Sequence, residues 1–169
     1  MGIALNAASV ELREITADEF DAIIALRVAE HQRDYLPPVV ELIAWAYVAP
    51  ECRPFAIYLG DTPVGFAMYG YLPADGRCWI NGFMVDEHHQ RQCIGRAALA
   101  QLLARMTAES NGADLLLAVH PDNAAAILLY EAFGFHDTGK RQGGENIMRR
   151  AGTTGSQQTA TGQQSEPAR

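Results

Sequence analysis

Apolar residues along this chain recur with different periods, and the changes of period divide it into elements. From Thr16 to Gln32 the segment TADEFDAIIALRVAEHQ places Phe20, Ile23, Ile24 and Val28 on one helical face. Thr16 followed by Glu19 is a capping-box pattern, so a helix is predicted from the start of this segment. Pro37 and Pro38 break it, and Val39–Tyr47 reads as a second short helix closed by Pro50.

Strand patterns follow. PFAIYL and VGFAMYGYL, separated by Gly60-Asp61-Thr62-Pro63, predict a hairpin. Pro73-Ala74-Asp75-Gly76 predicts another turn. CWINGFMV, Cys78 to Val85, is the next strand, and Gly82 within it marks a bulge or a close approach. A helix striped by Leu99, Leu102, Leu103 and Met106 ends at Asn111-Gly112. ADLLLAV is a nearly continuous apolar run, as expected of a buried strand. A helix from Asn123 to about Phe133, closed by Gly134, precedes two short strands, FHDTGKR and ENIMRR, around Gly143-Gly144. A further strand is expected near Val10–Ile15. Helices and strands mix without a strict βαβ repeat, which implies an α/β fold with one mixed sheet flanked by helices.

The length of 169 residues suits a single domain, expected over residues 1–151. From Gly152 the chain lacks large apolar residues and reads as a disordered polar tail, 152–169. No apolar run reaches membrane-spanning length and the N-terminus lacks a signal-peptide pattern. Three cysteines, Cys52, Cys78 and Cys93, form neither a disulfide framework nor a metal-ligand spacing, which points to a reducing cytoplasm. Adjacent His88 and His89 are poor geometry for a metal, and no metal site is expected. A net charge of −7 argues against a nucleic-acid surface and is compatible with a cationic small substrate.

Candidate chemistry concentrates in QRQCIGRAAL, Gln90 to Leu99. A turn feeding a helix N-terminus presents free N–H groups and partial positive charge, to which phosphates bind. Arg91 and Arg96 add charge. A plain strand-to-helix connection explains the same residues, whereas a dinucleotide site lacks its G-x-G-x-x-G pattern.

FMVDEHHQRQCIGRAAL and HPDNAAAILLYEAFGF together resemble the two core motifs of the GNAT N-acetyltransferase superfamily. Asn123, Ala126, Leu129, Tyr130, Gly134 and Phe135 match the second motif at each spacing. EHQRDYL, DTPVGFAMYG and WINGFMVDEHHQ are most similar to bacterial spermidine/spermine and diamine acetyltransferases. The resemblance implies a largely antiparallel mixed sheet splayed at a bulge. It implies acetyl-CoA as co-substrate without a metal, and a small primary amine, notably a polyamine, as acceptor. It leaves room for a homodimer and implies no nucleic-acid or membrane partner.

By the same resemblance, the backbone of Phe83, Met84 and Val85 would hold the pantetheine arm. The amides of Gln90, Arg91, Gln92, Cys93, Ile94, Gly95 and Arg96 would hold the pyrophosphate. Cys93 stands where the family has glycine; a positive φ there would be strained. Asn123 would contact coenzyme A, or equally cap its helix. Tyr130 would protonate the departing thiolate, or equally fill the core. The family's usual acidic residue on the splayed strand corresponds to Asn81, which is no base. A carboxylate of the first helices would then receive the proton through water, Glu30 first and Glu41 second. Asp34 is a further candidate for pairing with a substrate ammonium. The alternatives are acetylation of an aminoglycoside or a protein N-terminus, and an acyl-CoA-binding sensor without turnover.

Overall fold

The structure, a computed structural model, describes residues 10–72 and 76–153. The turn expected at Pro73–Gly76 lies outside the described residues except for Gly76, and so does the expected tail from residue 154 onward. The elements are β1 (Val10–Arg13), α1 (Phe20–Ile24), a 3-10 segment Glu30–Tyr35, α2 (Val39–Val48), β2 (Cys52–Leu59), β3 (Thr62–Leu72), β4 (Arg77–Val85), a short 3-10 turn Glu87–His89, α3 (Ile94–Glu109), β5 (Asp114–Val119), α4 (Ala124–Ala132), β6 (His136–Gln142) and β7 (Glu145–Arg150).

All seven strands join one sheet in the order β1-β2-β3-β4-β5-β7-β6. Only the β4–β5 pair is parallel. One core lies between the sheet and α3 and α4, built on Ile94, Leu99, Leu102, Met106 and Tyr130 with Leu115, Leu117 and Met148 from the strands. The other lies under α1 and α2, built on Ile23, Val39 and Leu42 with Phe66, Met68 and Met84. Both sheet faces are therefore covered, and alternate residues of a central strand serve opposite cores. The outer edge of β1 is fastened by α3: Gln101 bonds the backbone of Val10 and Leu12 at 2.6 and 3.3 Å, and Arg105 donates to the Leu12 carbonyl at 3.1 Å. Such cover blunts an open strand edge.

Two expectations are corrected. The first helix does not run through Gln32; α1 ends after five residues. Its continuation is diverted because the Arg27 N–H donates to Asp86 Oδ2 at 3.0 Å and the Arg27 carbonyl accepts from Glu87 at 2.8 Å. These long-range bonds take the groups an α-helix would use. Thr16 and Glu19 bond through their side chains, not as a backbone cap, and Glu19 makes no side-chain cap. At the end of the described chain the Gly152 N–H donates to Asp114 Oδ1 at 2.9 Å.

The bulge in β4 falls one residue before the expected glycine. Met68 pairs with Gly82 and Tyr69 with Ile80, so Asn81 is the inserted residue. Gly82 is instead a close-approach point, since a Cβ there would meet Leu42 Cδ1 of α2 at 3.0 Å. The β4–β5 pairing stops at Ile80↔Leu117, just before Asn81. Beyond it β4 keeps β3 as its partner, β5 continues with β7, and the two strands diverge.

Candidate active site

A cleft of about 800 Å³ passes along this divergence. Val85 ends the splayed strand, and the chain then turns through Asp86 to Cys93 into α3. Asp86 organises that turn. Burial pushes its carboxyl up, but the N–H groups of Arg27 and His88 and the His89 ring outweigh burial and hold it below its ordinary value. His89 Nδ1 lies 3.5 Å from Asp86 Oδ1.

The turn itself needs left-handed backbone twice. Arg91 and Cys93 both have φ of +61°, and Cys93 is the residue that starts α3. The conformation suits the glycine that the motif has at position 93, and a Cβ in it costs on the order of 1–2 kcal/mol. It nonetheless leaves Ile94, Gly95 and Arg96 as the first turn of a 16-residue helix, whose N–H groups lack intrahelical partners. With Arg91 and Arg96 beside them, these groups form a site of the chemistry a pyrophosphate requires. Arg96 is held over the Phe133 ring, 5.4 Å from its centroid.

Of the residues expected to bind coenzyme A, Phe83, Met84, Val85, Gln90, Arg91, Cys93, Ile94, Gly95, Arg96 and Asn123 line the cleft. Gln92 does not; its side chain folds back to the His88 carbonyl at 3.4 Å. The Gln90 side chain turns inward, donating to the Val85 carbonyl at 3.1 Å and to Gln32 Oε1 at 2.8 Å. Asn123 caps α4, its Oδ1 accepting from the Ala126 N–H at 3.3 Å, while lining the cleft.

Tyr130 projects from α4 into the core and the cleft wall, 6% exposed and edge-on to Phe135 at 5.9 Å between centroids. Burial pushes its phenol well above its ordinary value, so it stays protonated. A protonated phenol at the cleft wall is a hydrogen-bond donor suited to a departing sulfur.

Glu30 is not brought to this place. Its side chain is 89% exposed, paired with Arg33 at 4.0 Å, and outside the cleft. The 3-10 turn that replaces the expected helix carries Gln32 and Tyr35 toward the cleft and Glu30 toward solvent. Glu41 and Asp34 are likewise exposed and off the cleft. Asn81 does line it, with Nδ2 3.3 Å from Cys52 Sγ.

Two further residues line the cleft. His120 follows β5 and stacks on Tyr35, centroids 4.8 Å apart. Glu145 opens β7, and it is the sole carboxylate among the described residues lining the cleft. Neither motif contains Glu145; only the β5–β7 pairing brings it here.

A strand freed by a bulge, a left-handed turn into a helix start and a buried phenol thus line one cleft. The chain belongs to the acetyltransferase (GNAT) family, whose sequence profile matches residues 11–135, and it is an N-acetyltransferase. It is 29% identical over 147 residues to the spermine/spermidine N(1)-acetyltransferase of Bacillus subtilis (strain 168), covering 83% of this chain and 97% of that protein. It is 48% identical over 54 residues to the ribosomal protein bS18-alanine N-acetyltransferase of Escherichia coli (strain K12), covering 31% of this chain and 35% of that protein. The crystal structure of PaiA N-acetyltransferase from Thermoplasma acidophilum in complex with coenzyme A shares the fold, with a TM-score of 0.65 at 14% identity over 85% of this chain and 99% of that one. Among the described residues no helix is long and apolar enough to cross a membrane.

Proposed function

We propose that the protein transfers the acetyl group of acetyl-CoA directly to the primary amine of a polyamine or a similar small cationic amine. The observation that carries this reading is the cleft at the β4–β5 divergence, which joins a phosphate-type helix start to a buried phenol. The polyamine acceptor is supported by the similarity to the Bacillus enzyme over 83% of the chain.

The residues divide the work by position. The backbone of Phe83 to Val85, which has no strand partner on the β5 side, would hydrogen-bond the pantetheine arm. The helix-start amides with Arg91 and Arg96 would take the pyrophosphate. The neutral amine attacks the thioester carbonyl and the carbon–sulfur bond breaks. A backbone N–H of the splayed strand would stabilise the charge developing on the carbonyl oxygen. Tyr130 would donate its proton to the sulfur, while the surplus proton on the attacking nitrogen would leave to solvent water, from which the phenolate regains one.

A second reading, acetylation of a protein N-terminus, is favoured by the 54-residue segment at 48% identity. One experiment separates the two. Purified protein is given acetyl-CoA with spermidine, spermine, small diamines, an uncharged-tail monoamine and an alanine-starting peptide, and acetylated product is measured by mass spectrometry. Turnover favouring the polyamines is expected. Acetylation of the peptide alone would overturn the polyamine reading, and coenzyme A binding without any product would favour a sensor.

A further inference from the structure

The two ends of the cleft differ in charge, with Arg91 and Arg96 at one and Glu145 at the other. Val119 and Met148 point into the core under α3 and α4. Strand alternation then sends the next residue after Val119, His120, and the residue three before Met148, Glu145, to the opposite face. The register agrees: Val119 pairs with Asn146, so His120 and Glu145 fall opposite one another where that ladder would continue. The Tyr35–His120 stack shows that this is the face of the arm carrying Glu30–Tyr35. The phosphate-type turn, by contrast, opens α3 on the other face.

Glu145 is fixed there by its hairpin. Gly143 and Gly144 have φ of +58° and +91°, and Gln142 pairs with Glu145, so the loop is a tight two-residue turn with both central residues left-handed. That turn sets the register and leaves Glu145 no freedom to slip. Its carboxylate is half-buried and makes no hydrogen bond or ion pair with any described residue. An unpaired carboxylate on a cleft wall has its oxygens free to accept charge-assisted hydrogen bonds from a ligand cation. The arginines of the cleft lie at the other end, beyond β4, whereas β7 flanks the far side of β5.

We infer that Glu145 is a specificity-determining residue that pairs with a second, non-reacting ammonium of the acceptor, while the stacked Tyr35 and His120 rings carry the methylene spacer between the two nitrogens. This rests on the amine-acetyltransfer reading above and narrows its acceptor to aliphatic diamines and longer polyamines. A single carboxylate recognises one such cation, so the reacting amine itself enters neutral and unpaired by Glu145.

The test compares a diamine with a monoamine of equal chain length and uncharged end, using the full chain, acetyl-CoA and mass-spectrometric detection of product. In Glu145→Gln, kcat/KM for the diamine is expected to fall by at least about tenfold relative to the monoamine. The KM for acetyl-CoA and the melting temperature should stay unchanged. Glu145→Asp, which keeps the charge, should restore part of the preference. An unchanged diamine-to-monoamine ratio overturns the inference, and so does an equal fall for both amines, which would mean that Glu145 acts on the reacting nitrogen. If the unaltered protein acetylates no amine at all, the amine-transfer reading fails first and this inference falls with it. Turnover by the unaltered protein with an unmoved ratio sinks this inference alone.

Discussion

Gln90 donates from Nε2 to Oε1 of Gln32 at 2.8 Å, and this contact ties the phosphate-type turn to the arm on the opposite face of the sheet. Gln32 Oε1 also accepts from the Ala29 N–H at 3.2 Å, so the same oxygen holds the start of the 3-10 segment. The two halves of the cleft are thus set relative to one another by a pair of uncharged side chains.

Removing either partner should therefore be felt by the other. Gln32→Ala and Gln90→Ala each lose further contacts of their own, but those cancel in a double-mutant cycle on unfolding free energy. The expected coupling is about 0.5–1.5 kcal/mol, the net worth of one such hydrogen bond. Denaturant unfolding of the four proteins measures it. Strictly additive losses would show that the contact carries no stability.

Cys93 is expected to be a mild local fault. Its φ of +61° loads strain that glycine would release, about 1–2 kcal/mol. Glycine gives back roughly 0.5–1 kcal/mol through the freedom it adds to the unfolded chain. Cys93→Gly should then stabilise by up to about 1.5 kcal/mol. Cys93→Ala, which keeps the Cβ, should not. The KM for acetyl-CoA should fall in the glycine variant alone, because the backbone is then open to close approach by a phosphate. Equal stability and equal KM in the two variants would remove the strain argument.

Asp86 links the arm to the end of β4, and its contribution depends on pH with a definite sign. Its carboxyl is held below its ordinary 3.8 in the folded protein. A depressed folded pKa means stability that is fully present above the unfolded value and is lost as pH falls through the folded one. Asp86→Ala should cost about 2–4 kcal/mol near neutral pH, since it removes charge-assisted bonds to Arg27 and His88. The gap between variant and parent should narrow as pH falls below about 4. Urea unfolding from pH 5 to pH 3 tests this; a gap that widens across that window contradicts it.

These residues also show where the amino-acid pattern is sufficient and where it stops. Leu99, Leu102, Leu103 and Met106 announce α3 by spacing alone, and all four are buried. Gly143-Gly144 announces its hairpin by the same local logic, since so short a loop needs left-handed backbone that glycine adopts freely. The end of α1 is not local. It is decided by the bond between Arg27 and Asp86, fifty-nine residues apart, and no helix-stop residue marks it. The bulge shows an intermediate case: Gly82 signals that something unusual happens in β4, but the pairing with β3 puts the extra residue at Asn81. Tyr130 and the turn at Gln90–Arg96 are visible as motifs. Glu145 becomes visible only once β7 is known to lie beside β5, and the exposure of Glu30 only once its segment is seen to be a 3-10 turn.

Tyr130 offers the most direct test of the chemistry, because its ring and its hydroxyl have separable duties. The ring packs on Phe135 and is retained in Tyr130→Phe. The hydroxyl has no hydrogen-bond partner among the described residues, and burial is the cause that pushes its pKa up. Its removal should therefore change stability by less than about 1 kcal/mol. If the phenol donates to the leaving sulfur, kcat should fall by about 10²–10⁴-fold with little change in the KM for acetyl-CoA. A phenol held above its ordinary value of 10.0 also stays protonated as the solution is made alkaline. The parent enzyme should accordingly show no loss of rate from Tyr130 ionisation between pH 7 and about pH 10. Steady-state kinetics across that range, beside thermal melts of both proteins, supplies all three readings. An unaltered kcat in a well-folded Tyr130→Phe would leave Tyr130 a packing residue and require another donor for the sulfur.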